Sequence, residues 1–201
     1  MAKNVRGPQK LGPLTPLVGE WEGDSGVDLS YHNKDDETSE TTYFEIARFK
    51  PIPIQENGRQ ELWGLHYVMT AWRHGEEAMD PFHDEVGFLL WDKAHGQVMR
   101  SVVFGRGIAI LAGSDAKPGD RTLHFNAKPG EASYGILQNH YLMERAEIRG
   151  FTSSFTIEDE DTFSYNSDLL LKLAATGGEM HHTDKNTLRR VKRYHPGFEF
   201  R

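Results

Sequence analysis

The sequence predicts an all-β fold, an antiparallel sandwich or an up-and-down barrel of about ten strands. Three observations lead there. Period-two alternation of apolar and polar residues runs through most of the chain, no segment sustains a 3.6-residue apolar stripe, and turn residues interrupt the alternation at short, even intervals. At 201 residues a single domain is expected.

The elements follow in order. Residues 1–18 form an arm carrying three of the nine prolines. Its Leu11, Leu14 and Leu17 sit three apart, and Thr15-Pro16 is placed to start a helical turn, with Thr as N-cap. Strands are expected near 20–29, 42–49, 61–72, 83–91, 97–104, 106–112, 121–127, 141–157, 162–173 and 185–193. The clearest is 162–173, with Phe163, Tyr165, Leu169, Leu171 and Leu173 on one face and Thr162, Ser164, Asn166, Asp168 and Lys172 on the other. Asn57-Gly58, His95-Gly96, Gly105-Arg-Gly107, Lys117-Pro-Gly-Asp120, Lys128-Pro-Gly130 and the acidic run 158–161 supply turns. The long stretch 141–157 is read as one strand with a bulge at Arg149-Gly150. The polar stretch Ser30 to Thr41 is read as a loop. The domain plan is thus an arm (1–18), a β domain (19–193) and a tail (194–201).

Composition removes several functions. A net charge of −7 is the wrong sign for neutralising phosphates, which argues against nucleic acid and against an anionic membrane as partners. With zero cysteines there is no disulfide, thiolate zinc site, iron–sulfur cluster or Cys nucleophile. Any metal must be held by His or oxygen. No apolar run approaches about 18 residues and the first residues lack the apolar core of a signal peptide, so a soluble, cytoplasmic protein is expected.

Ten histidines stand in the chain. Alternation sends His66 and His124 to solvent, and His95 sits in a turn. His181 and His182 follow a Gly-rich loop at the opening of the last strand, and His83 opens the fourth. In a ten-stranded meander every even-numbered strand starts at the same end, so His83 and His182 meet at one mouth, near the loops holding His32, His74 and His140. The parity argument requires 141–157 to be one strand. His182, Asp184, Asn186, Leu188 and Arg190 share a face, and Leu188 marks that face as inward. No H-E-x-x-H, phosphate loop or G-x-S-x-G elbow is present. Trp21, in Gly19-Glu-Trp-Glu-Gly23, is large enough to plug one end of a barrel, with Arg189 or Arg190 of the last strand stacked over it.

Gly19-x-Trp21-x-Gly23, Phe82-His-Asp-Glu-Val-Gly87, Arg106-Gly107 and Met180-His-His-Thr-Asp-Lys-Asn-Thr-Leu-Arg189 together resemble the nitrobindin family over roughly residues 14–193. Ser25 in place of the third glycine of the first motif, and a longer His-to-Leu spacing in the last strand, mark a divergent branch. The resemblance implies a single up-and-down antiparallel β-barrel of about ten strands, calycin-like, related to fatty-acid-binding proteins and lipocalins. It also implies ferric haem b in the mouth, with His182 as axial ligand of the iron and His83 on the opposite side, conversion of peroxynitrite to nitrate, and nitric oxide binding. His181, Met180 and Trp21 complete the cofactor-binding residues, and there is no catalytic residue beyond the iron. The alternative is a non-enzymatic carrier of a small hydrophobic ligand such as a fatty acid, for which Arg48, Arg73, Arg100 and Arg106 are the candidate carboxylate anchors. Either way the expected partner is a small molecule.

Overall fold

The computed structural model describes residues 10–32, 35, 37–76 and 80–194. Residues 1–9 of the arm and 195–201 of the tail lie outside the described residues. The chain forms a meander of β1 (Gly19–His32), β2 (Glu37–Pro51), β3 (Gln55–Glu56), β4 (Glu61–Arg73), β5 (His83–Asp92), β6 (Gln97–Phe104), β7 (Ile108–Asp115), β8 (Thr122–Ala127), β9 (Ile136–Gln138), β10 (Ala146–Ile157), β11 (Thr162–Leu173) and β12 (Glu179–Lys192). β3 is a two-residue addition on β4, and β9 pairs with β7. The remaining ten strands close on themselves: β1 pairs with β2 and β12, and β2 pairs with β4. The fold is a closed ten-stranded antiparallel barrel.

Alternation explains the interior. On β11 Phe163, Tyr165, Leu171 and Leu173 are buried, and on β8 Leu123, Phe125 and Ala127 are. One end of the barrel is filled solid. There Trp21 meets Phe163 edge-on at 4.9 Å, and Phe49, Phe125 and Phe155 continue the stack. The Trp21 indole donates to the Leu17 carbonyl at 2.8 Å, and the Arg190 guanidinium lies 4.0 Å over the ring while donating to the carbonyls of Pro16 and Val18. The 3₁₀ turn Gly12–Leu17 seals this end with Leu11, Leu14 and Leu17, whose spacing of three matches three residues per turn. It begins before Thr15, so Thr15 and Pro16 lie inside it, and the Thr15 hydroxyl donates back to Gly12 O.

Three expectations change. Residues 140–145 are a helical turn, α1 (His140–Arg145), and β10 starts only at Ala146. The Asn139 side chain caps α1 by accepting from Leu142 N, and Leu142 is buried. The bulge does fall between Ile148 and Gly150, and 146–157 is one strand, so the parity of the meander is kept. The last strand begins at Glu179, not 185, because β11 pairs with it from Lys172↔Glu179 onward. His181 and His182 therefore sit within a ladder. The stretch 30–41 is largely strand too, since β1 and β2 continue pairing to His32↔Glu37.

Candidate functional site

The end opposite Trp21 is open. It leads into a cavity of about 590 Å³, within the range of small-molecule and cofactor sites. Phe82, Phe104, Phe151, Leu169, Leu171 and Leu173 supply apolar wall, and Arg73 at the end of β4, Arg106 between β6 and β7 and Tyr141 of α1 (His140–Arg145) also line it. The splay between β7 and β8, which share a single residue pair at Gly113↔Asn126, leaves room for β9 and α1 to complete the wall.

His182 lines this cavity, on the inward face shared with Asp184, Asn186 and Leu188. One ring nitrogen, Nε2, lies 2.7 Å from Asp28 Oδ1, and Asp28 Oδ2 accepts from Ser30 Oγ at 2.6 Å. Burial alone would raise the Asp28 carboxyl, but the bonds to His182 and Ser30 hold it below the ordinary carboxylate range. Asp28 is an anion that orients an imidazole and leaves its second nitrogen for a ligand. His83 lines the cavity from β5, 3.7 Å from Glu85. Burial would depress the His83 imidazole, yet the adjacent Glu85, with the charge of Asp184, lifts it to about 9. It is a cation at neutral pH.

Beneath the two histidines lies a polar floor. Tyr43 OH donates to Asp184 and lies 2.7 Å from Tyr165 OH, which in turn donates to Glu45 at 3.0 Å. Asn186 Nδ2 donates to Glu45 Oε2 at 3.0 Å. Burial, with the charge of Asp184, pushes Glu45 up to about 8, so its carboxyl is protonated at neutral pH; burial raises Asp184 as well. Gly26 makes room here, because a Cβ at that position would come within 2.2 Å of the Tyr43 ring. Alongside, Arg100 pairs with Glu85 through Nη2 and donates to Tyr67 OH at 2.8 Å and Ser153 Oγ at 2.9 Å.

The structure thus brings His182 and His83 to one cavity, with His32 at its lining. Met180 shares the His182 face and packs against the margin of the core. His181 points outward, 64% exposed, with Nδ1 2.7 Å from Asp168 Oδ2. Trp21, grouped with the pocket on sequence, seals the far end and does not touch the cavity; an indole this size packs where the barrel is solid. His74 is bonded to Asp24 and Thr42, and the cavity lining takes Tyr141 and Leu142 of α1, not His140. Among the candidate arginine anchors, Arg48 lies outside beside Glu20, Arg100 is inward and paired with Glu85, and Arg73 and Arg106 line the cavity.

The sequence reading missed Asp28, Tyr43, Glu45, Glu85 and Tyr165. Their signal is a polar residue in an inward register, as in Tyr43-x-Glu45-x-Ala47-x-Phe49 and Val98-x-Arg100-x-Val102. The residues present suit a haem: one oriented imidazole, apolar walls, and rim arginines able to pair with carboxylate side chains of the ring.

Among the described residues no helix is long and apolar enough to cross a membrane. No curated protein matches the chain. Among solved structures it is similar to the crystal structure of Rv2717c from M. tuberculosis, with a TM-score of 0.59 at 20% identity over 88% of this chain and 94% of that one. The model of the THAP4-like, heme-binding beta-barrel domain matches residues 10–190. The chain belongs to this haem-binding β-barrel family, the nitrobindin family.

Proposed function

We propose that the open end holds ferric haem b with His182 as the axial ligand, and that the loaded protein converts peroxynitrite to nitrate and binds nitric oxide. The observation that carries this reading is the His182–Asp28 pair facing a cavity of about 590 Å³ in a member of a haem-binding family. Bound haem would supply a Lewis-acidic iron, the chemistry that rearrangement of peroxynitrite to nitrate calls for.

The chain's own residues do the rest. Asp28 fixes the His182 tautomer and ring plane and raises the basicity of the liganding nitrogen. Phe82, Phe104, Phe151 and the leucines of β11 would shield a bound haem from water. His83, a cation on the cavity wall, attracts an anionic substrate and balances Glu85 and Asp184.

Titration of ferric haemin into the apo protein tests the reading through the Soret band. Wild type and His181→Ala should show a saturable one-to-one shift, and His182→Ala should lose it. Absence of a shift in wild type removes the haem reading. A shift retained in His182→Ala removes the ligand assignment.

A further inference from the structure

The outer surface of the barrel carries a second concavity, a cleft of about 330 Å³ on the wall formed by β8, β10, β11 and β12. Register builds it. His124, Ser154, Asn166 and Lys185 stand side by side in one outward row across these strands, and Asn126, Thr152, Asp168 and Thr183 stand in the next. Elsewhere long charged side chains pair over the strands, as Arg48 does with Glu20 and Arg149 with Glu147. Here most side chains are short and leave a depression between the rows. Ser153 and Ser167, which point inward, also border the cleft, so its floor is the backbone itself.

The lining carries unused hydrogen-bonding capacity. Among the described residues, the side chains of Asn126, Thr152, Ser154, Asn166 and Thr183 make no hydrogen bond within the protein. Asp168 offers Oδ2 to His181 Nδ1 at 2.7 Å, whereas its Oδ1 is buried and has no partner, the one such side-chain atom among the described residues. A buried carboxylate oxygen without a donor is uncommon and costly. Asp168 borders the cleft, so that is the side from which a donor can arrive.

We propose that this cleft binds a neutral polyhydroxylated molecule of monosaccharide size. A carboxamide and a hydroxyl each donate and accept, and so does every hydroxyl of a sugar or cyclitol. An inorganic anion mainly accepts and an ammonium only donates, so either would leave much of this lining unmatched. Asn126 and Asn166 flank Thr152 and Ser154 from the two neighbouring strands, which lets their carboxamides span adjacent hydroxyls of one ring. Charge agrees with a neutral ligand: Lys185 and Asp168 offset one another within the cleft, and the chain's net −7 opposes anions. The volume lies at the small end of ligand sites. The cleft is on the outside of the barrel, so the proposal is independent of haem.

Amide-resolved NMR on the full chain tests it. The neutral probes are methyl α-D-glucopyranoside, methyl α-D-mannopyranoside, methyl β-D-galactopyranoside and myo-inositol, with inorganic phosphate as the anionic one. At least one neutral probe should shift amides of β8, β10, β11 and β12 saturably, with a dissociation constant on the order of 1–10 mM for so small a ligand in an open cleft. Asn166→Ala and Thr152→Val alter exposed side chains with no partner in the protein, and each should weaken that binding about threefold or more. Ser101→Ala on β6, away from the cleft, should leave it unchanged, and the spectra themselves report that each variant is folded. Phosphate should give no saturable shift there. Absence of a saturable shift with every neutral probe up to about 100 mM overturns the proposal. So does phosphate binding in the cleft more tightly than every neutral probe, a shift pattern centred on cavity residues such as His83 and Leu169, or equal binding by wild type and both cleft variants.

Discussion

Replacing Glu85 by Gln should cost the fold about 3 kcal/mol, because it strands a guanidinium in the barrel interior. Arg100 is 2% exposed and Glu85 4%, so the pair is out of water. After Glu85→Gln, Arg100 keeps Tyr67 and Ser153 as acceptors but faces no counter-charge. Removing one partner of a buried pair typically costs about 3–5 kcal/mol. The depressed Glu85 carboxyl reflects the same interactions. Burial would raise this carboxyl, but Arg100 and His83 hold it at about 2 in the folded protein against an ordinary 4.5, and 2.5 pH units amount to about 3 kcal/mol. A depressed carboxylate stabilises the fold fully above 4.5, and the contribution is lost as pH falls from 4.5 through 2. For 201 residues the loss lowers the melting temperature by roughly 6–12 °C. Urea unfolding at pH 7 measures it, with Glu85→Leu/Arg100→Met as the companion. The double variant should regain most of the loss, since it removes both charges together. A single variant within about 1 kcal/mol of wild type, or a double variant no better than the single, would refute the argument.

Two further outcomes follow from the site and the seal. His83 stands near 9 when folded against an ordinary 6.5, so its contribution is full below 6.5 and disappears as pH rises through 9. Its partial exposure limits this to about 1–2 kcal/mol, and unfolding curves at pH 6 and pH 9.5 should differ less in His83→Gln than in wild type. Trp21→Ala should cost about 3–5 kcal/mol by emptying the closed end. It should leave the haemin titration midpoint unchanged, and a shifted midpoint would return Trp21 to the cofactor site.

Alternation and turn spacing predict an antiparallel sandwich or barrel, with Trp21 under Arg189 or Arg190 and, by strand parity, His182 on the inward face. The choice of barrel over sandwich comes with the family resemblance. Parity survives small errors: α1 was read as strand, yet the number of strand reversals before β12 was unaffected. Alternation cannot name the partner of an inward polar residue, because that partner comes from a strand distant in sequence. Asp28 meets His182 across 154 positions and Tyr43 meets Tyr165 across 122.

The division of the interior into a solid end and a hollow one separates two kinds of selection. Trp21, Phe49, Phe155 and Phe163 are packed without exposed surface, so substitutions there are judged first by whether the chain folds. Leu169, Phe82 and Arg106 border empty space, so substitutions there are judged by what the vessel holds. A lineage built this way can exchange its cargo while leaving its foundation untouched.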